Sequence, residues 1–216
     1  LDPCAFDRDP QRHLDIIFRL ACQHNKKIDI HLHERGELGA FSLELILAFI
    51  RRYQKQNAVT ISHGFCLGML EPARQQRFAE EMAELGVSIA TTAPADIAVP
   101  PWELLDSVGV AICAGNDGVR DTWSPYGNGD MIQRAVTMGL RYRWRKDSEI
   151  SRAARSVTHG GARVMALEHY GLEPGCRADL VLIPGRSMVE ALVEAPRERK
   201  VFKGGVLVAE NGECLF

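Results

Sequence analysis

Long hydrophobic segments are missing from this chain of 216 residues. No apolar run approaches the roughly 20 residues that span a membrane, and no signal-peptide pattern is evident, so a membrane partner is not expected. The charge is nearly balanced, with a formal net charge of -2, which gives no reason to expect nucleic acid as a partner. From these absences we expect a cytoplasmic protein.

Cysteine pairs of the Cys-x-x-Cys type are also missing, although the chain has six cysteines. The chain is too long for a scaffold held by disulfides, so we expect reduced and mostly buried thiols. Zinc deaminases that act on nucleic acids carry His-x-Glu together with Pro-Cys-x-x-Cys. Neither motif occurs in this sequence, which excludes that class of enzyme.

Strand-like and helix-like segments alternate through the first half of the chain. The predicted strands cover residues 28–33, 59–63, 87–90 and 110–114. The predicted helices before and between them start at about residues 10, 42, 72 and 101, and further helices are predicted at about 128–145, 148–157 and 161–169. Such alternation predicts right-handed crossovers and a parallel sheet.

The pattern changes to β-structure after residue 170. Residues 178–183 have the composition of a strand, and Gly204-Gly205 between two further short strands predicts a two-residue hairpin. We therefore divide the chain into residues 1–170 and a C-terminal β appendage, residues 171–216.

Polar side chains stand at the carboxyl ends of three predicted strands. His31 and Glu34 end the first strand, His63 ends the second, and Asp117 follows the fourth. Residues at these positions converge in a βα barrel, and histidine with carboxylate suits a divalent metal such as zinc or iron. Any single histidine among them is better explained as an ordinary hydrogen-bonded residue, but four such groups at equivalent positions favour a site.

Taken in order, these motifs resemble the amidohydrolase superfamily, in particular its cytosine deaminase-like and N-isopropylammelide aminohydrolase-like members. His31 to Glu34 has the His-x-x-Glu spacing of their fifth barrel strand. Ser62-His63 resembles the end of their sixth strand and Gly115 to Asp117 the end of their eighth. The loop from Val119 to Met131 and the segment 171–205 are similar to the parts of the family that follow.

The resemblance implies an α/β fold: the second half, strands five to eight, of a metal-dependent hydrolase (β/α)8 TIM barrel. Residues 171–216 would form part of a small C-terminal β-sandwich. The first four strands are absent from this sequence, so we expect a longer parent protein. A half-barrel has two open sheet edges, so we expect a homo-oligomer or association with the missing N-terminal half.

The resemblance also implies a chemistry. His31 and Asp117 would hold one divalent metal, with zinc favoured over iron, and Asp117 would accept a proton from the attacking water. His63 would orient that water. Glu34 would carry the proton to a ring nitrogen and then to the leaving amine. The substrate would be a small cyclic amidine-like heterocycle, namely a pyrimidine, a pterin or a triazine.

Three positions qualify this assignment. His33 is the second histidine of a His-x-His pair, but it has no counterpart in the family pattern and we treat it as a bystander. Gly118 stands where cytosine deaminases commonly carry a second Asp, which puts cytosine itself in question. Trp123 either stacks on the substrate or packs within its loop. The alternative to an enzyme is a truncated, inactive half-barrel that serves only as a structural or assembly fragment.

Overall fold

The computed structural model describes residues 2–216, which divide into two compact units. The first unit ends at Cys113 and the second runs from Ala114 to Phe216. This division follows internal packing, and the boundary predicted after residue 170 stays a prediction.

The first unit alternates helices and strands, as predicted. Its elements are α1 (Pro3–Phe6), α2 (Pro10–Gln23), β1 (Ile28–Leu32), α3 (Gly36–Tyr53), β2 (Val59–His63), a 3₁₀ helix (Phe65–Met69), α4 (Pro72–Leu85), β3 (Ser88–Thr91), α5 (Trp102–Ser107) and, reaching the boundary, β4 (Ile112–Ala114). The four strands form one sheet in the order β1-β2-β3-β4. β1, β2 and β3 are parallel, so the predicted α/β architecture with a parallel sheet is confirmed.

The second unit contains helices and a separate antiparallel sheet. Its elements are α6 (Met131–Tyr142), α7 (Asp147–Ser156), α8 (His159–Met165), β5 (Leu180–Leu182), α9 (Met188–Glu194), β6 (Lys200–Lys203), β7 (Val206–Glu210) and β8 (Glu213–Cys214). The strands pair in the order β5-β6-β7-β8. Gly204 and Gly205 have φ of +57° and +82°, so the predicted two-residue hairpin between β6 and β7 is confirmed.

The core of the first unit lies on the apolar face of the sheet. β1 alternates buried and exposed side chains, and its buried residues are Ile28, Ile30 and Leu32. Fully buried side chains of α3 also belong to this core: Leu43, Ile46, Leu47 and Ile50. Each such burial stabilises the fold by about 1.5–3 kcal/mol. A register slip of one residue would expose this face, so packing determines which side of β1 carries His31.

Helix α3 begins at Gly36, whereas the sequence predicted a start at residue 42. The first turns of α3 contain Gly36 and Gly39, and glycine is a poor helix former. In the structure, a Cβ on Gly39 would overlap the carbonyl oxygen of Glu34 and the side chain of Cys66. Gly39 therefore serves close packing inside the helix, which composition alone does not reveal.

Other element bounds also differ from the prediction. The helix predicted at 128–145 covers only Met131–Tyr142, because the Asp130 side chain accepts a hydrogen bond from the backbone N–H of Ile132 and caps the helix there. Helix α9, strand β8 and the 3₁₀ helix were not predicted. Short elements of this kind depend on packing more than on sequence periodicity.

The cysteines are all free, as expected. The expectation that most of them are buried is wrong, because only Cys66 and Cys113 are buried and the other four are partly or fully exposed. Within residues 2–216, no helix has both the length and the apolar character needed to cross a membrane.

Two helical glycines provide a matched test of the close approach at α3. Gly39→Ala is expected to lower the free energy of unfolding by about 1–3 kcal/mol, because the added Cβ must displace the backbone of Glu34. The control is Gly139→Ala in α6, where the new Cβ would meet only the Ala153 side chain at 3.9 Å. The control is expected to stabilise the protein by up to about 1 kcal/mol. Denaturant unfolding of both full-length variants measures the difference, and equal stabilities would contradict the packing argument.

Candidate functional site

Three imidazole side chains meet at the carboxyl ends of β1 and β2. His31 lies in β1, His33 directly follows it, and His63 is the last residue of β2. The parallel register pairs Leu32 with His63, so the side chains that flank Leu32 lie beside the end of the neighbouring strand. One ring nitrogen from each histidine lies within 4.8 Å of the others. The structure thus brings together the predicted His31 and His63 and adds His33.

The backbone at His63 departs from strand conformation. Its φ is +75°, and the following Gly64 has a φ of +61°, so the chain turns sharply off β2 at this point. A left-handed conformation at a residue with a Cβ costs about 1–3 kcal/mol and is common at functional sites. Asp117, beyond the end of β4, also has a positive φ of +59°.

The orientations of the rings differ in a way that matters for metal binding. His31 stands nearly perpendicular to His63, at an interplanar angle of 83° and a centroid distance of 5.0 Å. His33 instead lies over the face of His63, at 32° and 3.9 Å. An imidazole binds metal along its ring plane through a nitrogen lone pair. The perpendicular setting of His31 and His63 is compatible with nitrogen lone pairs that point towards one ion or its bound water.

Glu34 directly follows His33 in the sequence, and its carboxylate is buried. The two oxygens of this carboxylate have different hydrogen-bond surroundings. Oε1 accepts hydrogen bonds from the backbone N–H groups of Cys4 at 2.8 Å and Ala5 at 3.2 Å, and from the Ser42 hydroxyl at 3.2 Å. Oε2 is buried and has no hydrogen-bond partner among residues 2–216. One oxygen is thus immobilised while the other is available to carry a proton.

Burial raises the pKa of Glu34 above its usual value, although the N–H of Cys4 opposes this by donating to the ionised form. The nearby Asp2 carboxylate raises the pKa of Glu34 further through charge repulsion. A glutamate in such an environment retains its proton at higher pH than an exposed one. That property suits a group that transfers a proton.

Asp2 is a part of the site that sequence reasoning missed. Its carboxylate accepts a hydrogen bond from the backbone N–H of His33 and lies 2.9 Å from His33 Nδ1. Burial raises the pKa of Asp2, but these hydrogen bonds from His33 outweigh burial and leave it below the usual value. Asp before Pro signals a helix start, yet this side chain makes no capping hydrogen bond to α1. The carboxylate instead contacts His33, which lies 31 residues along the chain.

Asp117 and Trp123 belong to the second unit. The neighbouring Asn116 accepts a hydrogen bond of 3.1 Å from Arg134 Nε. The Trp123 side chain is 91% exposed on its loop, where Asp121 accepts hydrogen bonds from the backbone N–H groups of Trp123 and Ser124. The approach of Asp117 to the histidines and a stacking role for Trp123 both stay predictions.

Gly118 is explained by its own loop. A Cβ at this position would overlap the Asp121 carboxylate, which organises the turn that carries Trp123. A second aspartate after Asp117 would therefore require this turn to rearrange.

Thiol reactivity tests the packing around Glu34. Burial raises the pKa of Cys66 to about 12, and the nearby Glu34 carboxylate contributes to the rise. We expect Cys66 to resist alkylation by iodoacetamide at pH 8, because almost no thiolate forms there. The exposed Cys22 is expected to react first. Peptide mass spectrometry of the native full-length protein measures both rates, and labelling of Cys66 as fast as Cys22 would disprove burial at this position.

Comparison with known proteins places the chain among related sequences. A model of the amidohydrolase family matches residues 3–214. The N-isopropylammelide isopropyl amidohydrolase of Pseudomonas sp. (strain ADP) is 26% identical over 212 residues, covering 98% of this chain and 53% of that protein. The uncharacterized protein YahJ of Escherichia coli (strain K12) is 30% identical over 213 residues, covering 96% of this chain and 46% of its own length.

Solved structures are similar along nearly the whole chain. The N-isopropylammelide isopropylaminohydrolase of Burkholderia multivorans ATCC 17616 is 45% identical with a TM-score of 0.95, covering 99% of this chain and 55% of that one. The 5-methylcytosine deaminase of Klebsiella pneumoniae shares the fold, with a TM-score of 0.81 at 20% identity, covering 95% of this chain and 53% of that one. The chain spans about half the length of these relatives.

Proposed function

Because the chain belongs to the amidohydrolase family, we propose that the protein containing it is a metal-dependent hydrolase of a C–N bond in a cyclic amidine-like heterocycle. The convergence of His31 and His63 at neighbouring strand ends carries this proposal. Among pyrimidines, pterins and triazines, the 45% identity to an N-isopropylammelide isopropylaminohydrolase favours an N-substituted triazine.

One divalent metal is the cofactor that this donor set fits. The family is generally metal-dependent, and clustered imidazoles with a nearby carboxylate suit a divalent transition metal. We favour zinc over iron because a given nitrogen and oxygen donor set generally binds Zn²⁺ more tightly than Fe²⁺. His31 would hold the ion together with Asp117 and ligands from outside this chain. When bound, the ion lowers the pKa of a water molecule towards neutrality and so supplies the nucleophile.

The chain's own residues would supply orientation and proton transfer. His63, perpendicular to His31 and 5.0 Å away between ring centroids, would orient the attacking water. Glu34 would hold a proton on Oε2 while three donors immobilise Oε1. It would deliver that proton to a ring nitrogen, take up a second proton that the attacking water loses, and pass it to the leaving amine, since an uncharged amine is a better leaving group than an amide anion.

Assembly is part of the proposal. β1 is the first strand of its sheet and pairs only with β2 among residues 2–216. We infer that the four strands are strands five to eight of a (β/α)8 barrel, with an N-terminal half of the protein or a second copy covering the open edge. A purely structural fragment would not need a buried carboxyl group beside clustered imidazoles, so that alternative is not favoured.

Replacement of Glu34 by Gln tests the proton-transfer role. Glu34→Gln preserves the shape of the side chain but removes the transferable proton, so turnover is expected to fall by about 10²–10⁴-fold. Release of ammonia or alkylamine from a panel of pyrimidines, pterins and triazines measures the effect in the full-length protein, and bound metal is measured in parallel.

The matched control is Glu37→Gln, three residues further along. Glu37 is a surface residue whose carboxylate pairs with Arg74 at 2.7 Å, and its loss is expected to leave turnover within about twofold, since exposed ion pairs are weak. Full activity of Glu34→Gln would remove Glu34 from the mechanism.

Metal removal tests the cofactor. His31→Ala is expected to lower the bound metal well below one ion per chain, because it removes a direct ligand. His24→Ala, which removes an exposed histidine after α2, is the control and is expected to retain the metal. Elemental analysis of both full-length variants gives the result, and stoichiometric metal in His31→Ala would show that the site lies elsewhere.

Dialysis of the wild-type protein against a chelator is expected to abolish turnover, and addition of zinc is expected to restore it.

A further inference from the structure

We propose that His33 is a positioning residue for His63, and that Asp2 acts by holding His33 in place. The inference rests on the proposed function, in which His63 orients the attacking water. The sequence motif assigns no role to His33. In the structure, His33 contacts both Asp2 and His63.

The first step is the hold of Asp2 on His33. The Asp2 carboxylate accepts the backbone N–H of His33 and lies 2.9 Å and 3.1 Å from Nδ1 of the same residue through its two oxygens. The Asp2 side chain is only 4% exposed. A buried carboxylate that contacts both the backbone and the ring of one residue restricts the side-chain rotation of that residue. The His33 ring is therefore immobilised from its Nδ1 side.

The second step is the packing of His33 on His63. The two rings overlap with centroids 3.9 Å apart and planes tilted by 32°. Phe65 contacts the His63 ring at 5.2 Å, and the His31 ring stands perpendicular to it at 5.0 Å. Three rings therefore define the position of His63. Within residues 2–216, the ring of His33 is the one of these three that contacts a buried carboxylate outside the cluster.

The third step is that His33 does not suit a metal ligand in this arrangement, although one of its nitrogens lies within 4.8 Å of the others. A metal bound to both His33 and His63 would lie near both ring planes, about 2.0–2.1 Å from each nitrogen. Because one ring lies over the other, with centroids 3.9 Å apart and planes tilted by 32°, an ion placed between them would lie out of the ring planes. The geometry fits a packing platform better than a ligand.

The segment from Asp2 to Ala5 therefore holds two consecutive residues of the active-site stretch. Asp2 holds His33, and the backbone N–H groups of Cys4 and Ala5 hold Glu34. Glu34, the proposed proton carrier, and His33, whose ring packs against His63, thus both depend on residues 2–5.

The test uses His33→Ala, His33→Phe and Asp2→Asn in the full-length protein. His33→Ala removes the platform and is expected to lower kcat by about 10–100-fold with KM little changed, because it misorients a catalytic group without removing it. His33→Phe keeps a flat ring and is expected to recover most of this loss. Bound metal is expected to stay at the wild-type level in both variants.

A double-mutant cycle isolates the contribution of Asp2. Asp2→Asn is expected to lower kcat in the wild type and to have a much smaller effect in His33→Ala, where Asp2 keeps only its contact with the backbone of residue 33 and its charge near Glu34. Asp7→Asn is the matched control, since it weakens another carboxylate–imidazole contact, that of Asp7 with His13 at 3.1 Å, and it is expected to leave kcat unchanged. Thermal unfolding of each variant identifies any that fail to fold.

Crystal structures of the variants give a readout that does not depend on activity. The His63 ring is expected to leave its wild-type orientation in His33→Ala and to keep it in His33→Phe. Loss of metal in both His33 variants would assign His33 as a ligand and overturn the proposal, as would wild-type kcat and an unmoved His63 ring in His33→Ala. If the wild-type protein turns over none of the pyrimidines, pterins and triazines, the proposed function fails, while the orientation of His63 in the crystal structures still decides the positioning role.

Discussion

The capture of a buried carboxylate by backbone N–H groups is the interaction on which the rest of this site depends. Glu34 is only 5% exposed, and an unpaired buried carboxylate would be unfavourable by several kcal/mol. The N–H groups of Cys4 and Ala5 stabilise it through one oxygen. Those donors belong to α1, and Glu34 lies between β1 and α3. Helix α1, the end of β1 and helix α3 must therefore fold together. The same burial also gives the carboxyl group its raised pKa.

The parallel sheet brings residues of two neighbouring strands, β1 and β2, into the same site. Pairing of Leu32 with His63 aligns the ends of β1 and β2, and burial of the apolar face of β1 determines where His31 points. Close passage of α3 at Gly39 then places its backbone against the Glu34 carbonyl group. Packing of apolar side chains thus sets the geometry in which the polar side chains act, as is usual when catalytic groups stand on a rigid scaffold.

The chain belongs to the amidohydrolase family and spans about half the length of its relatives. Both facts bear on the open edge of its parallel sheet. In our proposal the four-stranded sheet is part of a barrel whose open edge lies at β1, and it supplies only some of the ligands that a metal needs. In our proposal the remaining strands and ligands come from the rest of the protein. The second unit contributes its own ordered elements, including the hairpin at Gly204 and the loop organised by Asp121.

By itself, the sequence determined the alternation of strands and helices, the hairpin at Gly204-Gly205 and the strand ends that carry His31 and His63, because periodicity and turn chemistry are local properties. Only the tertiary structure decided the start of α3 at Gly36 and the roles of Asp2 and His33. Asp2 and His33 are 31 residues apart and no local pattern links them. Their contact arises when α1 packs beside the end of β1, and such long-range packing is decided by the whole fold.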